Sequence, residues 1–240
     1  MERLQNGKGR QWSLNMSLFT NRVAAGRALA EQVKSSVKDP NTLVLALPRG
    51  GVPVGFEVAR ALNADLDVFL VRKLGMPGEE ELAIGAIASG GVRVLNDELI
   101  RYLRVPETVI EEVTQREQRE LERRERLYRD GRPPAPVTDR TVVLVDDGLA
   151  TGASMLAASR ALRPQGARRV LIAVPVAAHQ TCDELRKEVD EIICAATPHP
   201  FGAVGIWYDD FAQTSDEEVR QLLEQAARER QATHSSAGPG

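Results

Sequence analysis

The segment Thr141–Met155, TVVLVDDGLATGASM, constrains this chain more than any other. Val142 to Val145 is an unbroken aliphatic run, too short for a helix and of the kind found in strands buried on both faces. It stops abruptly at two acids, Asp146 and Asp147, and passes through a glycine-containing turn, Gly148 to Gly152. From Ala153 onward, Met155, Ala158 and Leu162 recur at helical spacing. Strand, acid pair, turn and helix in that order predict an α/β fold with a mainly parallel central sheet and flanking helices. In such sheets, ligands collect beyond the C-terminal ends of the strands.

Each part of the segment has a chemical use. A turn of Gly, Ala and Thr that opens a helix lets several backbone N–H groups converge on one anion, helped by the positive end of the helix dipole. The hydroxyls of Thr151 and Ser154 add donors. Two carboxylates beside such a hole would repel a phosphate that touched them. They suit a ligand whose hydroxyls, or whose metal, lie a few ångströms from its phosphate, as in a sugar phosphate. The plainer alternative is a tight turn whose acids merely cap the helix, but here the acids precede the glycine and sit at a strand end.

Two earlier stretches have related character. Thr42 to Leu47 reads as a buried strand running into Pro48, Arg49, Gly50 and Gly51, with Pro53 near the favoured start of a helix. Arg49 is the fixed cation of that loop and suits a diphosphate. Asp67 to Val71 reads as a second strand that delivers Arg72 and Lys73 at its end. LGMPGEEE follows as a breaker-rich loop, then a hairpin of Ala83 to Ala88 and Val92 to Leu95 around Gly90 and Gly91.

Together these stretches resemble the type I phosphoribosyltransferases, and in particular a bacterial group of predicted phosphoribosyltransferases with no assigned acceptor. The resemblance runs loosely from Phe19 to Leu223. It implies that Asp146 and Asp147 hold the ribose hydroxyls of phosphoribosyl diphosphate (PRPP) and, through PRPP and water, a Mg²⁺ ion. It implies that Gly148, Leu149, Ala150, Thr151, Gly152, Ala153 and Ser154 bind the 5′-phosphate, and that Arg49, Gly50 and Gly51 bind the diphosphate. Arg72 and Lys73 would join the acid pair as catalytic residues, beside a mobile loop. The implied reaction transfers the phosphoribosyl group to a nitrogenous acceptor, such as a nucleobase, with release of diphosphate. A protein that senses PRPP without turnover is the alternative. Two departures stand out: Ala150 lies where hypoxanthine–guanine enzymes carry an aspartate, and a Glu/Arg-rich helix is added to the minimal fold.

The remaining sequence sets boundaries. Residues 1–13 are polar and are expected to be disordered, residues 14–230 form the phosphoribosyltransferase-like domain, and residues 231–240 form a disordered tail. The charged helical insertion, about 106–132, holds eight acids and seven bases between Glu107 and Arg132. Its balance excludes a nucleic-acid patch, and it reads as a solvated helix or as an arm in a possible homodimer. A net charge of −3 gives no electrostatic footprint for nucleic acid. No apolar run reaches membrane-spanning length, and Cys182 and Cys194 form no disulfide framework or metal motif, so a cytoplasmic protein is expected. His179 and His199 have no carboxylate or nucleophile at a meaningful spacing. Only 4% of the chain is aromatic, yet Phe201, Trp207, Tyr208 and Phe211 fall within eleven residues. Trp207 and Tyr208 are the expected acceptor-binding residues of a hood over the base. The plainer role for these rings is to cement the C-terminal helix onto the sheet.

Overall fold

The computed structural model describes residues 17–236. Its strands are β1 (Thr42–Ala46), β2 (Asp65–Val68), β3 (Val71–Met76), β4 (Glu79–Ala88), β5 (Val92–Leu95), β6 (Thr141–Val145), β7 (Arg169–Val176) and β8 (Glu191–Ala196). Its helices are α1 (Arg22–Ser36), α2 (Gly51–Leu62), α3 (Asp97–Leu103), α4 (Glu107–Arg129), α5 (Ala153–Leu162), α6 (His179–Leu185) and α7 (Asp216–Ser236). The aliphatic runs form a five-stranded parallel sheet in the order β2-β1-β6-β7-β8, while β3, β4 and β5 form a separate antiparallel sheet.

Every residue of β1 and β6 is buried, as continuous aliphatic strands require. Alternate side chains serve opposite faces. Leu45, Val142, Leu144 and Ile172 pack with Met155, Ala158 and Leu162 of α5. Val44, Val143, Val145 and Leu171 pack with Leu29 and Val33 of α1 and Val54 and Val58 of α2. From β1 the chain moves outward to β2, and from β6 it moves the other way to β7 and β8. The switch point of the topology therefore lies between the C-terminal ends of β1 and β6, where an open α/β sheet forms its ligand crevice.

Several expectations are corrected. The strand expected over Asp67 to Val71 ends at Val68, and Arg72 and Lys73 lie inside β3 of the second sheet. Phe69 N–H still donates to Ala46 O at 2.9 Å, but Leu70 is already held by Ser89, accepting from Ser89 N–H and donating to Ser89 Oγ. The chain changes sheets between those two residues. The stretch read as a mobile loop is the β3–β4 hairpin, which turns at Pro77 and Gly78.

Helix α4 is not the solvated helix or projecting arm that its charge suggested. Ile110, Val113, Leu121 and Tyr128 bury one face against Leu74, Ile84 and Ile87 of the hairpin and Val219 and Leu223 of α7. Charged residues on that face meet partners from the sheets. Arg129 Nε donates to Asp67 Oδ1 at 3.0 Å and Arg72 Nη2 to Glu117 Oε2 at 2.6 Å. Cys182 and Cys194 are joined as a disulfide, because α6 folds back against β8 and brings two otherwise isolated thiols together. Helix α7 continues to Ser236, so the tail expected from residue 231 begins as helix. The segment 1–13 lies outside the described residues. His179, expected to lack a carboxylate partner, has Asp183 one turn on at 3.0 Å.

The Asp67–Arg129 pair is the most deeply buried of these interactions, with side-chain exposures of 10% and 7%. Asp67 also accepts from the N–H groups of Val68 and Ala135, so removing Arg129 leaves a buried carboxylate without its counter-charge. Arg129→Ala is expected to cost about 3–5 kcal/mol in urea unfolding. Arg126→Ala on the exposed face of the same helix should stay within about 0.5 kcal/mol.

Candidate active site

The site is built where two loops touch. Leu47 N–H donates to Val145 O at 2.9 Å, so the first loop leaves β1 alongside the acids that leave β6. A Cβ on Gly51 would lie 2.8 Å from Val145 O and 3.0 Å from Asp146 Cα, and one on Gly50 would fall onto Asp147 Oδ2. Only glycine allows this approach, which explains the paired glycines. Arg49 follows a cis peptide bond with Pro48 and stands 3.7 Å from Asp216 Oδ1 of α7.

The turn after the acids is clamped from below. Leu149 N–H donates to Val176 O at 2.9 Å, Ala178 N–H to Leu149 O at 3.0 Å, and Thr181 Oγ1 to Ala150 O at 2.5 Å. Gly152 caps α5 in the left-handed region, at φ 69°, which a side chain would strain. Among the described residues, no internal hydrogen bond uses the N–H groups of Thr151, Gly152, Ala153, Ser154 or Met155. They are the open donors of a helix start, and they lie beside Asp146 and Asp147.

The acid pair has a partner that no motif announced. Arg22, first residue of α1, donates from Nε to Asp147 Oδ2 at 2.8 Å and from Nη1 to Ala212 O at 2.7 Å. Its guanidinium carbon lies 3.9 Å from the centre of the Phe211 ring. Burial pushes the Asp146 carboxyl well above the ordinary range, and the neighbouring Asp147 adds to the rise. Burial also raises Asp147, with Arg22 opposing it. Asp146 Oδ1 accepts the Asp147 N–H at 2.8 Å. Burial thus disfavours charge on both acids, and Asp147 is the one that Arg22 pairs with.

Beyond the acids, a cavity of about 100 Å³ is lined by Pro48, Arg72, Arg124, Asp146 and Ser154, with apolar residues between them. Among the described residues, no cluster of three or more His, Cys, Asp or Glu side chains is placed to hold a metal. Two carboxylates alone fit a Mg²⁺ ion that keeps most of its ligands from water and phosphate. Among the same residues, no helix is long and apolar enough to cross a membrane.

The chain has relatives among known proteins in sequence and in fold. The model of the phosphoribosyl transferase domain matches residues 71–210. A Thermus thermophilus protein, TT1426, has a crystal structure that superposes with a TM-score of 0.78 at 43% identity, covering 86% of this chain and 98% of that one. The chain belongs to the phosphoribosyl transferase family. A Mycobacterium tuberculosis protein, provisionally named a phosphoribosyl transferase, is 46% identical over 214 residues, 89% of this chain. The chain spans about half the length of that curated relative, 48%. The purine phosphoribosyltransferase of Pyrococcus horikoshii is a distant likeness, with a TM-score of 0.41 at 16% identity.

Within this phosphoribosyl transferase fold, the structure brings Gly50 and Gly51 against Asp147 and Asp146, and brings Arg72, Asp146 and Ser154 to one cavity, while Arg49 stands beside Asp216. Lys73 does not line the cavity with Arg72. Adjacent residues of a strand face opposite ways, and Lys73 Nζ pairs instead with Glu81 at 3.1 Å. Trp207 and Tyr208 are buried, at 6% and 5% exposure. Trp207 Nε1 donates to Phe201 O, and Tyr208 OH donates to Asp147 O at 2.6 Å. Burial, then the Asp147 charge, raises the Tyr208 hydroxyl and keeps it a donor. Arg22 was missed because it belongs to no motif. Its one signal is a cation at the first position of a helix, where the dipole disfavours positive charge.

A carboxyl raised in the folded state favours the protein most below its unfolded value, and that contribution is lost as pH rises through the folded value. Asp146→Asn keeps the oxygen that accepts the Asp147 N–H and removes the buried ionisable group. Its expected effect is a higher melting temperature at neutral pH, by about 2–4 °C per kcal/mol gained, and a shallower loss of stability from acid to neutral pH. An unchanged melting curve across that range would contradict the raised carboxyl.

Proposed function

We propose that the chain binds PRPP with Mg²⁺ in the crevice between β1 and β6 and transfers its phosphoribosyl group to a nitrogen of a heterocyclic acceptor. One observation carries the reading: two carboxylates at the end of β6 lie beside a run of uncommitted N–H groups. That juxtaposition suits a ribose phosphate, whose hydroxyls need acceptors and whose phosphate needs donors. The N–H groups of Thr151 to Met155 take the 5′-phosphate. Asp147, held by Arg22 and propped through its carbonyl by Tyr208, accepts from a ribose hydroxyl, and Asp146 accepts from the other.

Arg49 and Arg72 then face the diphosphate. Bound Mg²⁺ supplies further neutralisation of its charge. The bond from C1′ to the diphosphate oxygen breaks with its electron pair leaving on the diphosphate, and the acceptor nitrogen donates the pair that forms the new bond to C1′. The protein's contribution is positioning and charge stabilisation. Ala150 offers no carboxylate to take a proton from the acceptor, which favours an acceptor that loses its proton to water or to the departing diphosphate.

A PRPP-consumption screen with Mg²⁺ against purine and pyrimidine bases tests the reading. Turnover with at least one base is expected, and PRPP binding without turnover against any of them would make the protein a sensor. Replacing Asp146 and Asp147 together by Asn should lower PRPP affinity by about tenfold or more. In calorimetry, Arg49→Ala should weaken PRPP and pyrophosphate while sparing ribose 5-phosphate.

A further inference from the structure

We infer that α4 forms a third wall of the diphosphate subsite and that its Arg124 binds phosphate there. This rests on the PRPP reading above and assigns to that site a residue that lies outside its two loops. The cavity beyond the acid pair is lined by two cations, Arg72 and Arg124, together with Asp146 and Ser154. Both guanidinium groups are anchored by α4 carboxylates that leave donors spare. Arg72 uses Nε and Nη2 on Glu117 Oε2, at 2.9 and 2.6 Å. Arg124 uses Nε on Glu120 Oε1, at 2.8 Å. Among the described residues, no hydrogen bond occupies Arg72 Nη1 or either Nη of Arg124.

The two anchors differ in a way that separates their roles. Glu117 is buried, with a side-chain exposure of 10%. Burial pushes its carboxyl up, but Arg72 and Arg116 outweigh that and hold it below the ordinary range. Arg72 is therefore fixed in place. Arg124 is 42% exposed and Glu120 30%, and Glu120 has a second cation, with Arg123 Nε on its Oε2 at 2.7 Å and Arg123 Nη2 on its Oε1 at 3.0 Å. Arg124 can leave Glu120 without stranding the carboxylate. A solvent-screened pair of this kind is weak, whereas a guanidinium meeting a phosphate makes parallel charge-assisted hydrogen bonds.

Helix α4 also reaches Arg49 of the β1–α2 loop. Tyr128 OH donates to Asp216 Oδ1 at 2.8 Å, and the same oxygen faces Arg49 Nη1 at 3.7 Å. One helix thus supports Arg49 through Tyr128 and Asp216, fixes Arg72 through Glu117, and supplies Arg124. Three cations from the β1–α2 loop, β3 and α4 surround a diphosphate that no single loop neutralises.

Calorimetric titration of the full chain with PRPP, pyrophosphate and ribose 5-phosphate, all with Mg²⁺, tests the assignment. Arg124→Ala should weaken PRPP and pyrophosphate by about ten- to a hundredfold and leave ribose 5-phosphate within about twofold. Arg124→Lys should recover only part of the loss, because an ammonium lacks the fork. Glu120→Gln should bind PRPP at least as tightly as the unaltered chain, since it frees Arg124; a purely structural pair would instead make both substitutions harmful. Pyrophosphate and PRPP affinities unchanged in Arg124→Ala, or equal losses for all three ligands, would overturn the inference and leave the PRPP reading standing. An unaltered chain that binds none of the three would overturn both.

Discussion

The structure depends on a contact with almost no room in it: Gly50 and Gly51 pressed against Asp146 and Asp147 at the switch point of the sheet. A single methyl group on either glycine would meet Val145 O or the Asp147 carboxylate. Because β1 and β6 are adjacent and parallel, their following loops must leave side by side. The glycines decide that they leave in contact. The acids are thereby enclosed on one side by backbone, on another by Arg22, and from below by Tyr208, whose hydroxyl holds the Asp147 carbonyl. Enclosure is what raises the acid pair.

The aromatic stretch near the C-terminus serves this arrangement indirectly. Leu18 and Phe19 N–H groups both donate to Trp207 O, and Asp209 N–H donates to Phe19 O. Tyr208 packs on Phe19 and Phe211, with ring centres 5.7 and 5.0 Å apart. The segment before α1 and the segment before α7 are stitched together there, and the result is the placement of Arg22. Distant segments fix the electrostatics of a loop that neither of them belongs to.

Much of this was legible in the sequence, and the illegible parts share a cause. The run Val142 to Val145 is a strand because burial on both faces leaves no polar position to confuse the pattern. The order of strand, acids, turn and helix predicted a turn that opens α5, and the structure has it there. What escaped was burial achieved through ion pairs. Arg72 reads as a residue at a loop entry and is a strand residue anchored by Glu117. Glu117 and Arg129 read as solvent-facing, yet they carry α4 onto the hairpin and β2. Hydrophobic periodicity is blind to a charged residue whose partner lies 45 or 62 positions away. The Cys182–Cys194 disulfide and the Arg22–Asp147 pair were hidden for the same reason: the partners meet only once the sheet has assembled.

The central claim is that Thr151 to Ser154 form the phosphate cradle of a ribose phosphate held by Asp146 and Asp147. Amide shift mapping of the ¹⁵N-labelled chain during titration with ribose 5-phosphate addresses it directly. The account predicts that the N–H signals of Thr151, Gly152, Ala153 and Ser154 move most and saturate together, and that they stay still when both acids are replaced by Asn at the same ligand concentration. Shifts centred instead on Ser89, Gln165 and Thr138, around the separate cavity of about 420 Å³ that they line, with the turn after β6 unmoved, would contradict it.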